Sequence, residues 1–184
     1  DAYAEQGLEF DKAEVAASAC AFIKGRMEQM ARDEKIAPDT VAAVSAGSVT
    51  TPAHYFELAH ALEHARSNDR AAFENLATAY ARAAHLADAS VGCEVDEALL
   101  GDAERVLLEA IDAAEASVTS ALSAQDFPGV ISALAALREP IDAFFDEVMV
   151  MDEDERLRAN RLALLNRFAA VFSGIADLGA MARK

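Results

Sequence analysis

Tryptophan is absent from this 184-residue chain, prolines number four and cysteines two. With alanine the best helix former, proline the worst, and few residues to end a helix, an all-helical protein is expected. Cys20 and Cys93 lie far apart with no C-x-x-C spacing, so a metal or redox motif is not indicated, and two free thiols of a cytosolic protein is the plain reading. No uninterrupted apolar run reaches the roughly 18 residues of a membrane span. Nothing near the first residues resembles a signal peptide, and the chain opens on Asp1, so it is read as a piece of something longer or a processed product. No glycine-rich phosphate loop, G-x-S-x-G elbow or nucleophile with a nearby base occurs, and no catalytic site is read here.

What the chain does have is acid. Its 32 acidic residues against 16 lysines and arginines give a formal charge of −16, which argues against non-specific binding to nucleic acid or anionic membrane. The distribution says more than the sum. From Val91 to Glu155 there are 17 acids and two bases, Arg105 and Arg138; from Arg156 to Lys184 there are six bases and one acid, Asp177.

Apolar spacing lays out the helices. One runs from about Asp11 to Lys35, with Val15, Ala19, Phe22, Ile23, Met27 and Met30 on one face. A shorter one follows, with Pro38 in its first turn and Gly47 past its end. Thr51-Pro52 opens another that runs to about Arg66, and Asp69 caps the next, which ends near Ala87. Residues 88–95 form a connection. Asp96 to Ser123 reads as one long helix with Leu99, Ala103, Val106, Leu107, Ala110, Ala114, Val118 and Leu122 inward. Asp126 caps a helix carrying Val130, Leu134, Leu137, Ile141, Phe144, Phe145 and Val148 inward, a face that stays in phase across Pro140, which predicts a kink. Val148 to Met151 is an apolar corner, and the last helix starts near Asp152 or Asp154, with Asp152 and Glu155 spaced as a capping box.

On that last helix Arg161 shares the buried stripe of Leu157, Leu164, Leu165 and Phe168, so it needs an acid partner, and Asp142 or Asp146 on the preceding helix is expected. Arg156, Asn160 and Arg167 share a more exposed stripe, suited to phosphates or to offsetting the acids beside them. Glu57, His60 and His64 share a helix face with metal-like spacing but lack a fourth ligand, so a solvated polar face is the plain reading and no metal is assigned.

The stretch LREPIDAFFDEVMVMDEDERLRANRLALLNRF (Leu137 to Phe168), followed by FSGIADL (Phe172 to Leu178), resembles the C-terminal end of the beta subunit of bacterial two-subunit glycyl-tRNA synthetases. Its LRANRLALL core is similar to the wider DALR-like anticodon-binding domain, and weaker similarity reaches back to AFIKGRMEQMARDEKIAPDTVAAV (Ala21 to Val44). The resemblance implies a helical anticodon-binding bundle over residues 51–184, with residues 1–50 leading in from an upstream domain. It implies glycine tRNA and a catalytic alpha subunit as partners in a cytoplasmic heterotetramer. ATP and magnesium would serve the holoenzyme, with no cofactor and no ligase activity in this part alone. In the family the helix matching AYARAAHLA (Ala79 to Ala87) usually carries a Lys-Arg pair and an asparagine. Here Arg82 remains, Ala81 replaces the lysine, and His85 stands at the asparagine position.

Tyr80, Arg82 and His85 are thus the first candidates for RNA contact, with Arg156, Arg158 and Arg167 as further ones. Tyr80 and His85 are aromatic enough to stack on unpaired bases, though core packing is the plainer role for Tyr80. The acidic stretch should face away from RNA, since repulsion acts within a Debye length of roughly 8 Å. The alternative is an acidic helical module that docks a basic protein.

Overall fold

The computed structural model describes residues 11–48 and 51–182. Eight α-helices follow in order: α1 (Lys12–Asp33), α2 (Pro38–Ala46), α3 (Pro52–Asn68), α4 (Arg70–Leu86), α5 (Asp102–Ser123), α6 (Phe127–Ala135), α7 (Arg138–Glu147) and α8 (Glu155–Phe172). Short 3₁₀ turns cover Glu97–Leu99 and Leu178–Met181, and no strand occurs among the described residues. The chain is all-helical, as its composition implies. Thr51, Asp69 and Asp126 each accept a backbone N–H at the start of α3, α4 and α6, where the sequence places caps. At α8 the cap is Asp154, which accepts from the N–H groups of Arg156 and Leu157, and Asp152 is left to other partners.

The core is one continuous cluster. Leu107 and Ile111 of α5, Leu134 of α6, Ile141 and Phe144 of α7, and Leu164 and Phe168 of α8 are all fully buried in it. Ile36, Val41 and Val44 join the same cluster, so it runs through both sides of residue 50.

Three expectations need correction. First, α1 forms, but its apolar face stays uncovered: only Met27 and Ala31 are buried, while Val15, Phe22, Ile23 and Met30 are exposed. Second, α5 does not begin at Asp96. A 3₁₀ turn and the extended Leu100 precede it, and Gly101 supplies its N-cap. The inward face is therefore Leu107, Leu108, Ile111, Ala114 and Val118, with Val106 and Leu122 exposed. Third, Pro140 does not kink a continuous helix. The chain breaks at Ala136–Leu137, and Pro140 falls in the first turn of α7. A proline ring crowds the carbonyl four residues back and offers no N–H, so restarting the helix just before Pro140 removes both conflicts.

The ends of the bundle are sewn together by backbone. Ser48 N donates to Gly174 O at 2.9 Å, and Asp177 N to Ala43 O at 3.0 Å. Gly174 has φ of 81°, a left-handed turn open to glycine. At Gly47 a side chain would collide with the Ile175 carbonyl, so glycine permits this backbone approach.

Candidate nucleic-acid interface

The candidate residues divide into three places. Tyr80 turns inward. Its ring lies 4.8 Å from that of Phe172, and burial, with Asp177 nearby, pushes its hydroxyl pKa up. It lines a cleft with Gly47, Ser173, Gly174 and Asp177, which does not include Arg82 or His85. Tyr80 therefore packs, and is not brought together with the other two.

Arg82 and His85, both exposed, do meet in one cleft of about 610 Å³. Its other wall is the end of α7 and the corner after it: Phe145, Asp146, Glu147 and residues 148–151. The Arg82 guanidinium carbon sits over the Phe145 ring, 4.0 Å from its centroid. Phe145 is in turn held edge-on by Phe144, at 5.5 Å, and Phe144 is fully buried. Phe144 thus ties the position of Arg82 to the core. A cation over a ring contributes about 0.5–1 kcal/mol at an exposed site and leaves the guanidinium N–H groups available for a ligand. Arg82 has no hydrogen bond or ion pair among the described residues. Around the corner Val150 is buried while Met149 and Met151 are exposed, giving the cleft an apolar lip.

The α8 arginines have unequal freedom. Arg156 is exposed, with no side-chain partner among the described residues. Arg158 donates to the Asp152 carbonyl at 2.8 Å and lies 3.7 Å from Glu155, keeping part of its surface open. Arg167 is a clamp, not a free phosphate donor: it holds Asp112 at 2.5 Å and grips Glu115 through two nitrogens at 2.9 and 3.3 Å, joining α8 to α5. Those carboxylates raise its pKa, the hydrogen bonds to Glu115 foremost.

Arg161 is largely buried, as its place on the apolar stripe predicts, but its partners are not Asp142 or Asp146. It donates to Glu104 at 2.6 Å, to Asp152 at 2.6 Å and to the Met149 carbonyl at 2.9 Å. Glu104, at the third residue of α5, also accepts from the Gly101 N–H, so one carboxylate caps α5 and binds α8. Asp142 has no ion pair among the described residues, and burial raises its pKa, with Arg138 opposing and Asp146 adding to the rise. Asp152 is held below the usual range by the Asp154 N–H first and by Arg161 next.

Asn160 is buried and not on an exposed stripe. Its amide accepts from Asp96 N at 2.7 Å and donates to Asp96 O at 3.1 Å. Asn166 does the same for Asp88 and adds Gly92 O. The two amides pin the connection between α4 and α5 along α8. Asn160→Ala should cost about 2 kcal/mol, since it leaves part-buried backbone groups unpaired. A chemical denaturation midpoint equal to the parent's would show that water satisfies Asp96 instead.

Sequence reasoning missed Glu104, because a helix begun at Asp96 hides the Gly101–Glu104 cap spacing. It also placed Phe145 in the core. Adjacent residues on a helix point about 100° apart, so Phe144 and Phe145 cannot both be central, and that signal was there to read. In the histidine group, His60 bonds Glu34 and His64 bonds Asn68. Among the described residues no helix is long and apolar enough to cross a membrane.

Comparison with known proteins agrees with this architecture. The family model of the DALR anticodon binding domain matches residues 76–179, a span that includes Arg82, His85, Phe145 and all of α8. The chain is 38% identical to the glycine–tRNA ligase beta subunit of Aliivibrio fischeri strain MJ11 over 94% of its length, which is 25% of that protein. It is 35% identical to the beta subunit of Alteromonas mediterranea over 96% of this chain and 26% of the relative. With that of Acinetobacter baylyi it shares 38% over 90%, or 24% of the relative. The chain thus spans about a quarter of the length of these curated relatives. With the model matched over more than half of the chain, the protein belongs to the DALR anticodon binding domain family.

Proposed function

We propose that this chain grips the anticodon end of glycine tRNA as part of the beta subunit of a glycine–tRNA ligase, with the reaction itself carried by a separate alpha subunit using ATP and magnesium. The observation that supports this best is the α4–α7 cleft, where Arg82 is held over Phe145 with its donors unspent beside exposed His85, Met149 and Met151. Unpaired RNA bases are bound by such surfaces: a π-face or apolar lip to stack against, and a guanidinium for the base edge or backbone. Arg158 and the exposed Arg156 follow the same corner in the chain, at the start of α8, and are the further candidates for phosphate contact. The acids of α5 are partly neutralised by Arg161 and Arg167.

The test is a titration of the intact two-subunit enzyme with glycine tRNA and with the same tRNA carrying another anticodon. Binding about tenfold or more tighter to the native anticodon is expected if bases are read here. Equal binding of the two would remove the cleft's role and favour the acidic docking module.

A further inference from the structure

Among the described residues nothing covers the apolar stripe of α1. The helix touches α2 and α3 near its end, where Met27 and Ala31 are buried, and every residue from Lys12 to Arg26 is exposed. That is about 22 Å of helix at 1.5 Å per residue. Val15, Phe22, Ile23 and Met30 stand along it at helical spacing with much of their surface in water, Phe22 at 71%. A helical stretch of this length without tertiary contact is marginal in water, so a stable α1 calls for a partner along its free face. An exposed run of large apolar side chains on one face marks an interaction surface.

Arg26 narrows the kind of partner. It follows Phe22 by four residues and Ile23 by three, and precedes Met30 by four, so it lies inside the stripe. It has no hydrogen bond or ion pair among the described residues. A guanidinium covered by an apolar partner must meet a carboxylate, because an unpaired buried charge is strongly destabilising. The fitting surface is therefore apolar, with an acid opposite Arg26. RNA fits poorly, since its phosphates would meet Arg26 and leave Val15, Ile23 and Met30 uncovered.

We propose that this face seats the part of the same beta-subunit polypeptide that precedes this chain, and that Arg26 meets a carboxylate there. The inference rests on the beta-subunit reading given above. The match to the Alteromonas mediterranea beta subunit covers 96% of this chain, leaving out too few residues to exclude α1, yet it is 26% of that relative. This chain resembles the C-terminal end of such subunits, so the remainder comes before α1. A segment joined covalently to α1 acts at an effective concentration on the order of millimolar, so a face of modest size is enough to hold it. The tether favours that occupant over the alpha subunit or a second beta subunit.

The experiment puts the photoreactive residue p-benzoylphenylalanine in place of Phe22 in the intact two-subunit enzyme, irradiates it without tRNA and maps the linked peptides. The expected product runs at the mass of one beta subunit and joins position 22 to a peptide that precedes this chain. A product with the alpha subunit, one at the mass of two beta subunits, a link confined to this chain, or no link at all would each overturn the proposal. A second measurement compares Phe22→Asp/Ile23→Asp, Arg26→Glu and Arg26→Lys in the same enzyme. Limited proteolysis should cut between the preceding part and α1 several-fold faster in the first two variants, because the contact opens more often. Arg26→Lys keeps the charge and should be cut near the parent's rate. Equal rates for the parent and all three variants would show that the face holds nothing. Both readouts are taken without RNA, so they stand or fall separately from the anticodon titration: equal binding of the two tRNAs with the crosslink in place removes the cleft's role and leaves this contact standing.

Discussion

Arg161→Ala is expected to destabilise the chain by about 3 kcal/mol, the range seen when one member of a buried ion pair is removed. Glu104 would be left nearly buried, its side chain 4% exposed, with only the Gly101 N–H as partner. Asp152 and the Met149 carbonyl would lose their shared donor, freeing the corner that forms the lip of the cleft. For a chain of this size the melting temperature should fall by about 6–12 °C. Adding Glu104→Gln should recover part of the loss, since the amide oxygen can still accept from Gly101 without carrying an unpaired charge. The pH dependence has a definite sign. Asp152 titrates below its ordinary range, so its contribution is present above the unfolded aspartate pKa of about 4 and is lost as pH falls through the lower folded value. The parent should therefore lose stability more steeply in acid than Arg161→Ala does. Parallel acid profiles, or an unmoved melting temperature, would show that the triad is solvated and contributes little.

Arg82→Glu should weaken glycine-tRNA binding by the intact enzyme about 30-fold, or roughly 2 kcal/mol, within the range for an arginine that contacts a base edge or phosphate. If Arg82 neutralises a phosphate, the slope of log affinity against log salt should also flatten by about one unit. Lys35→Glu makes the same change in net charge on an exposed turn after α1, and should change affinity far less. Because Arg82 is exposed and a cation over a ring contributes little at an exposed site, the melting temperature should fall by no more than a few degrees. Equal losses for Arg82→Glu and Lys35→Glu would show that net charge, not the cleft, sets affinity.

What could be read from the sequence follows the range of the interaction. Thr51, Asp69 and Asp126 act within three residues of themselves, so their capping roles were legible. Arg161 was legible as buried because its neighbours at helical spacing are apolar. Its partner was not, since Glu104 lies 57 residues away and local pattern says nothing about which acid the fold brings near. The α1 stripe shows the reverse failure: periodicity reported an apolar face correctly, but could not say whether anything within these residues covers it. In the site, Arg82 and His85 were found with Tyr80 through the family resemblance of one helix, while Phe145, Asp146 and Glu147 come from an element 60 residues on. Asn160 looked like a surface amide until the α4–α5 connection was seen folded back across α8.

The backbone bonds of Ala43 and Ser48 to Asp177 and Gly174 also bear on when the domain becomes whole. α2 is translated some 130 residues before Gly174 and Asp177, so during synthesis its first partners are on α3, where Arg66 holds Asp39 and Glu63 accepts from Thr40, and its bonds to the turn after α8 form later. A nascent chain stalled before Gly174 should hold α2 protease-sensitive, and the same helix should become resistant once Asp177 is free to reach it.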